Sequence, residues 1–157
     1  MSADVTFPAA PIEALHALFL GMPPVLAMGA RAVAYDGDTL ILGAPLAANL
    51  NDKGNAFGGS LSSLMTLSAW GLVMLRLRDE GLDGEVYVAD SSVRYSAPLY
   101  GDLHAEARLE EPADWAGFVS LYRRRGRARL SLRACIRTAD GDVASSLHGR
   151  FVALSSK

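Results

Sequence analysis

Gly58-Gly59-Ser60-Leu61-Ser62-Ser63-Leu64-Met65-Thr66-Leu67-Ser68-Ala69-Trp70-Gly71-Leu72-Val73-Met74-Leu75-Arg76-Leu77-Arg78 is the stretch on which the fold turns. Leu61, Leu64, Met65, Leu67, Leu72, Val73 and Leu75 recur in it at helical spacing, and Trp70, Met74 and Leu77 fill the remaining directions. A helix that is apolar nearly all round has no face to give to water and belongs inside the molecule. The rest of the chain must therefore supply walls on several sides of one helix.

Those walls read as strands. From Asp102 to Glu110, Leu103, Ala105, Ala107 and Leu109 alternate with Asp102, His104, Glu106, Arg108 and Glu110, the period-two pattern of a half-buried strand. Arg127 to Arg137 repeats it, with Ala128, Leu130, Leu132, Ala134 and Ile136 opposite Arg127, Arg129, Arg133 and Arg137; Asp140-Gly141 then turns the chain into Val143 to Leu154. Glu85 to Ala97 is the third long strand. Upstream, Ala30 to Tyr35 and Thr39 to Gly43 flank Asp36-Gly37-Asp38, a polar hinge suited to a hairpin. Pro11 to Leu20, with Ile12, Leu15, His16 and Phe19 at helical spacing, predicts a short amphipathic helix stopped by Gly21, Pro23 and Pro24. Asp114 to Arg125, with Trp115, Phe118, Val119 and Tyr122 along one side, allows another, and Pro45 to Phe57 reads as a loop. The sum is an α+β layout in which an antiparallel sheet of about six strands wraps one long buried helix. Residues 1–157 form one domain on this reading, with residues 1–25 as a helical N-terminal segment.

Composition narrows the function. The chain of 157 residues is 50% hydrophobic and 20% charged, ordinary for a globular protein. A formal charge of -2 argues against a general nucleic-acid binder. Cys135 is the sole cysteine and no His or Cys stands at ligand spacing, so neither a disulfide within the chain nor a metal site is expected. No uninterrupted apolar run approaches the ~20 residues that span a bilayer, and the N-terminus lacks the order of a secretory signal. The expected location is cytoplasmic, with no membrane partner.

The order hairpin, loop, buried helix and four long strands resembles the hotdog fold. Asn51-Asp52-Lys53-Gly54-Asn55-Ala56-Phe57-Gly58-Gly59-Ser60 resembles the loop-to-helix signature of hotdog thioesterases, and Val93-Arg94-Tyr95-Ser96-Ala97-Pro98 followed by Gly101-Asp102-Leu103 is similar to the next landmark. The group it resembles most is the thioesterase family that also occurs fused to bacterial acetyltransferases, of which some members are malonyl-acyl-carrier-protein decarboxylases. The resemblance implies an acyl thioester as substrate, carried on acyl carrier protein or coenzyme A, no cofactor, and a homodimer or dimer of dimers. The better-known thioesterases have a histidine where this chain has Phe57 and a carboxylate where it has Thr66. No Asp or Glu stands anywhere from Gly58 to Arg78.

The candidate site follows from those residues. Gly58 and Gly59 open the helix, where unpaired backbone N–H groups and the helix dipole could stabilise charge on a carbonyl oxygen; the bland alternative is close packing or a cap. Asn51 offers an amide donor and so an electrophilic role, a turn-supporting role being its alternative, with Asn49 and Asn55 as competitors. Asp90 falls mid-strand, on the side of Val86, Val88 and Ser92 if the strand alternates without a bulge, and is either a hydrolytic base or a structural carboxylate. The catalytic candidates are Asn51, Gly59 and Asp90; the substrate-binding candidates are Phe57, Gly58, Ser60, Thr66 and Ser92, and Ser60 is alternatively a cap. Met65, Trp70 and Met74 are candidate walls or core. His16, His104 and His148 read as structural or exposed.

Three functions remain open. Hydrolysis needs an activated water. Decarboxylation of a malonyl thioester needs only stabilisation of an enolate, which Asn51 and backbone donors can supply, with Phe57 as an apolar wall, and it ranks slightly ahead. A non-catalytic acyl-carrier or lipid-binding module is the third. The run Arg123, Arg124, Arg125, Arg127 and Arg129, continued by Arg133 and Arg137, is a solvated face or a patch for an acidic carrier protein or coenzyme A phosphates.

Overall fold

The structure is a computed structural model and describes residues 10–156. In chain order the elements are α1 (Pro11–Phe19), α2 (Pro23–Met28), β1 (Arg31–Tyr35), β2 (Thr39–Ala44), a single 3₁₀ turn (Leu46–Ala48), α3 (Gly58–Asp79), β3 (Glu85–Tyr95), β4 (Leu103–Leu109), α4 (Trp115–Arg125), β5 (Arg127–Arg137) and β6 (Val143–Leu154). The six strands form one antiparallel sheet in the order β1-β2-β4-β5-β6-β3. This is the hotdog arrangement, with α3 as the filling.

The core explains why α3 is apolar on every side. It packs against β2, β3, β4, β5 and β6, and Leu64, Met65, Ala69, Leu72 and Val73 are fully buried. By length and composition α3 could cross a membrane, contrary to the expectation from uninterrupted runs; here the sheet takes the place of lipid around it. Gly71 lets the helix lie close to β2: a Cβ there would lie 2.8 Å from Leu40 Cδ2 and 3.4 Å from Leu15. The C-terminal end of α3 is closed by α4, where the Arg76 guanidinium sits 4.5 Å above the Trp115 ring and the Trp115 indole donates to Glu80 at 3.0 Å.

Two local expectations are corrected. Pro23 and Pro24 end nothing: α1 stops at Phe19, and Pro23 opens α2, since proline at the first helical position loses no hydrogen bond that the helix would have made. The proposed segment 1–25 is thus two helices reaching Met28, and its first nine residues lie outside the described ones.

The second correction bears on the site. Val88 pairs with Phe151 and Asp90 with Arg150, so Ala89 is an extra residue and β3 carries a bulge. A bulge flips the alternation beyond it. Val86 and Val88 face α3, whereas Asp90 and Ser92 pair with the exposed Arg150 and His148 on the opposite, outer face of the sheet.

Candidate active site

Between β2 and α3 the chain is held as a tight loop by its own asparagines. Asn51 Oδ1 accepts from the backbone N–H of Lys53 at 2.8 Å and of Asn55 at 3.2 Å, the Asn51 amide donates to Asn55 Oδ1, and the Asn51 N–H donates to the Asn55 carbonyl at 2.9 Å. Gly54, at φ +79°, completes the turn that these bonds close. The two backbone donors on Oδ1 fix which end of the Asn51 amide is oxygen, so the oxygen is saturated and one N–H remains for a ligand. Asn49 is different. It is buried, and its amide donates to the carbonyls of Met28 at 2.9 Å and Pro45 at 2.8 Å, which uses both hydrogens to tie α2 to the loop.

The loop delivers the chain to α3 with bonds from Ala56 N–H to Leu99 O at 2.9 Å and from Phe57 N–H to Asn49 O at 2.8 Å. Phe57 is the N-cap and no side chain caps the helix, so Ser60 does not serve as a cap. The N–H groups of Ser60 and Leu61 turn back to Phe57 O, while those of Gly58 and Gly59 have no partner among the described residues. Two aromatic rings flank these free donors. The Phe57 ring, 54% exposed, folds over Gly59 so closely that a Cβ there would lie 2.5 Å from Cε1; the Tyr95 ring comes to 3.5 Å of a Cβ on Gly58. Gly59 is therefore glycine because of Phe57, a reason invisible in the sequence.

Next to this turn a cavity of about 350 Å³ opens between α2, α3 and β3. Met22, Val25, Met28, Trp70, Val88 and Phe151 make it mainly apolar, and Ser62, Ser63 and Thr66 contribute its hydroxyls. Ser62 Oγ donates to the Gly59 carbonyl at 3.0 Å and Thr66 Oγ1 to the Ser62 carbonyl at 2.8 Å, so these two present only lone pairs to the cavity. The cavity lining contains no carboxylate, imidazole or cation.

The structure puts Phe57, Gly58, Gly59 and Ser60 at the start of α3, Asn51 in the loop that leads to it and Thr66 two turns further on in the cavity wall, and leaves Asp90 and Ser92 on the outer face of the sheet. Asp90 accepts from Arg150 through both of its oxygens, Nε lying 2.9 Å and 3.1 Å away, and this hydrogen-bonded guanidinium holds its carboxyl below the usual carboxylate range. A carboxylate so paired is a poor proton acceptor. Of the candidate walls, Trp70 lines the cavity, Met65 is core, and Met74 lines a separate crevice against α1. Tyr95 is a neighbour of the helix start that no sequence motif marks as such. Ser62, whose type and place would suit a nucleophile but which has no histidine beside it in sequence, lines the cavity. His16 accepts from the Ala32 N–H at 2.8 Å and His148 pairs with Glu110, both structural contacts.

A comparison with protein families matches residues 18–155 to the family described as "Putative thioesterase (yiiD_Cterm)". The chain belongs to that family. Among solved structures, a protein of unknown function from Chlorobaculum tepidum TLS is 33% identical with a TM-score of 0.85, covering 92% of this chain and 94% of the other. A structure from Shewanella oneidensis described as a putative thioesterase is 26% identical with a TM-score of 0.82, covering 92% and 97%. The Haemophilus influenzae thioesterase HI1161, at 17% identity, a TM-score of 0.73 and coverage of 96% and 92%, shares the fold.

Proposed function

We propose that the protein decarboxylates a malonyl thioester carried on acyl carrier protein, releasing carbon dioxide and leaving the acetyl thioester. The observation that carries this reading is a site with free donors and no base. The spare Asn51 N–H and the amides of Gly58 and Gly59 can hold an oxyanion, while the one candidate base, Asp90, lies on the far face of the sheet in an arginine pair. In the reaction the bond from the α-carbon to the carboxylate breaks and its electron pair passes to the thioester carbonyl as an enolate. The donors stabilise the oxygen, a term worth about 10²–10³ in rate per donor in comparable sites. The α-carbon then takes a proton from solvent or from the Tyr95 phenol, which stands exposed beside Gly58. Phe57 and the hydroxyls of Ser62 and Thr66, whose hydrogens are already used, offer the departing carboxylate no donor, which favours its loss.

Hydrolysis of a longer acyl thioester is the second reading. The apolar cavity favours it, since about 350 Å³ is more than a malonyl group fills.

The unit of function in this proposal is a homodimer. β3 is an edge strand of 11 residues, and Tyr87, Val88 and Tyr95 stand half-exposed along it. A long edge of this kind invites a second copy.

The test is mass spectrometry of malonyl- and acetyl-carrier-protein thioesters with wild type and Asn51→Asp. That substitution keeps the oxygen that accepts from Lys53 and Asn55 and removes both amide hydrogens, the spare one and the one given to Asn55 Oδ1, whose own amide can turn to donate to the new carboxylate. Conversion of malonyl to acetyl thioester, reduced at least 10²-fold in the variant at unchanged melting temperature, supports the proposal. Free carrier thiol as product selects hydrolysis, and no turnover by wild type selects a binding module.

A further inference from the structure

The outer face of the sheet, turned away from α3, carries a concentration of arginine that the proposed chemistry does not use. Pairing registers place Arg108, Arg133, His148 and Ser92 in one row across β4, β5, β6 and β3, and Cys135, Ser146 and Arg94 in the next. A groove of about 280 Å³ runs along these rows, its polar lining made by Arg108, Arg133, Arg137, His148 and one carboxylate, Glu106, with Cys135 and Ser146. Carboxylates answer only part of this charge: Glu106 pairs with Arg108, Glu110 with His148 and Asp90 with Arg150. Arg94, Arg127 and Arg133 are exposed with no carboxylate partner among the described residues, Arg129 acts with Arg150 on the Asp90 carboxylate, and Arg137 donates only to the Gly141 carbonyl. The chain as a whole is acidic by -2, so this face is basic by segregation and not by composition.

From this we infer that the outer face, centred on Arg133 and Arg137, docks the acidic carrier protein that brings the thioester. The inference rests on the reading of a carrier-bound substrate and adds where the carrier sits. Two observations favour that occupant. A second copy would pair isologously and set unanswered arginines against each other, which opposes a dimer of dimers through this face. The groove also lies at the correct end of the sheet: Arg94 adjoins Tyr95, whose ring packs on Gly58, and Arg94 is two strand spacings, roughly 10 Å, from Cys135 along their shared row. A prosthetic arm from a carrier seated there reaches Asn51 and the start of α3 around the strand ends.

The experiment compares wild type with Arg133→Glu/Arg137→Glu. Binding of fluorescently labelled holo acyl carrier protein is read by anisotropy, and turnover of malonyl-pantetheine, malonyl-coenzyme A and malonyl-carrier-protein by mass spectrometry. The expected result is at least tenfold weaker carrier binding, a matching rise in KM for the carrier thioester alone, and unchanged mass, circular dichroism and malonyl-pantetheine turnover. Wild-type carrier binding should fall steeply with added salt. Unchanged carrier binding in the variant overturns the inference, as does a variant that halves the mass of the assembly, which makes the face a self-interface. An equal loss for malonyl-coenzyme A assigns the arginines to nucleotide phosphates and overturns it too. Arginine-dependent carrier binding with no turnover of any thioester would sustain the docking face and sink the decarboxylase reading. Arg133→Lys/Arg137→Lys should restore binding if charge is what matters.

Discussion

Asn49, Asn51 and Asn55 look alike in sequence, and hydrogen bonding separates them. Asn49 gives both amide hydrogens to carbonyls, Asn55 receives the Asn51 amide, and Asn51 alone combines a saturated oxygen with a spare donor. The same accounting fixes Asp90 in an ion pair on the outer face of the sheet and yields a pH prediction. Arg150 lowers the carboxyl pKa in the folded state, so the ion pair contributes stability above the unfolded value of about 3.9 and loses it as pH falls through the lower folded value. The stability difference between wild type and Asp90→Asn should be small, as for exposed pairs, constant from pH 7 to about pH 5, and vanishing towards the acid limit. Urea denaturation at a series of pH values measures it. A variant less stable by the same amount at every pH excludes ionisation as the cause, and loss of turnover in Asp90→Asn would return Asp90 to the mechanism.

At the scale of elements, the agreement between sequence and structure tracks how strongly each pattern is specified. β5 and β6 run from Arg127 to Arg137 and from Val143 to Leu154, as their alternation requires, and α3 differs from its reading by one residue. The pattern fails in β3 because apolar residues occupy both parities, Val86 and Val88 on one and Tyr87 and Val93 on the other, so no burial signal reveals the bulge that turns Asp90 outward. It fails in α2 because a Pro-Pro pair marks a boundary without saying which side is helical, and with α2 went three of the cavity walls, Met22, Val25 and Met28. Candidates in the loop and along α3, Thr66 and Trp70 of the cavity among them, were legible because they are contiguous in the chain; the walls from other elements, Val88 and Phe151 as well as those of α2, were not, because they meet the helix only through packing. Gly71 gives a prediction on this scale. Alanine there improves helix propensity by about 0.5–1 kcal/mol, but its Cβ would collide with the fully buried Leu40. Overpacking of about 1–3 kcal/mol should prevail, lowering the melting temperature by several degrees in thermal denaturation. A gain in melting temperature would show that β2 can yield at this point.

For the whole molecule the open question is the β3 edge. One side of this strand is bonded to β6 along its length, and its other side faces no strand among the described residues. An edge of this length in a monomer would leave alternate amides to water, and the half-exposed Tyr87, Val88 and Tyr95 would add an apolar border to it. Pairing with a second copy answers both, and it also places that copy against the cavity that Val88 helps to line. Light scattering should accordingly give about twice the 16.7 kDa of one chain. Hydrogen exchange distinguishes the interface itself, because only pairing through β3 protects both alternate sets of its amides. Dilution to the monomer should release one set while the set bonded to β6 stays protected. If the outward amides of β3 exchange freely in a particle of dimer mass, the copies meet elsewhere, and the cavity then opens to solvent instead of to a neighbour.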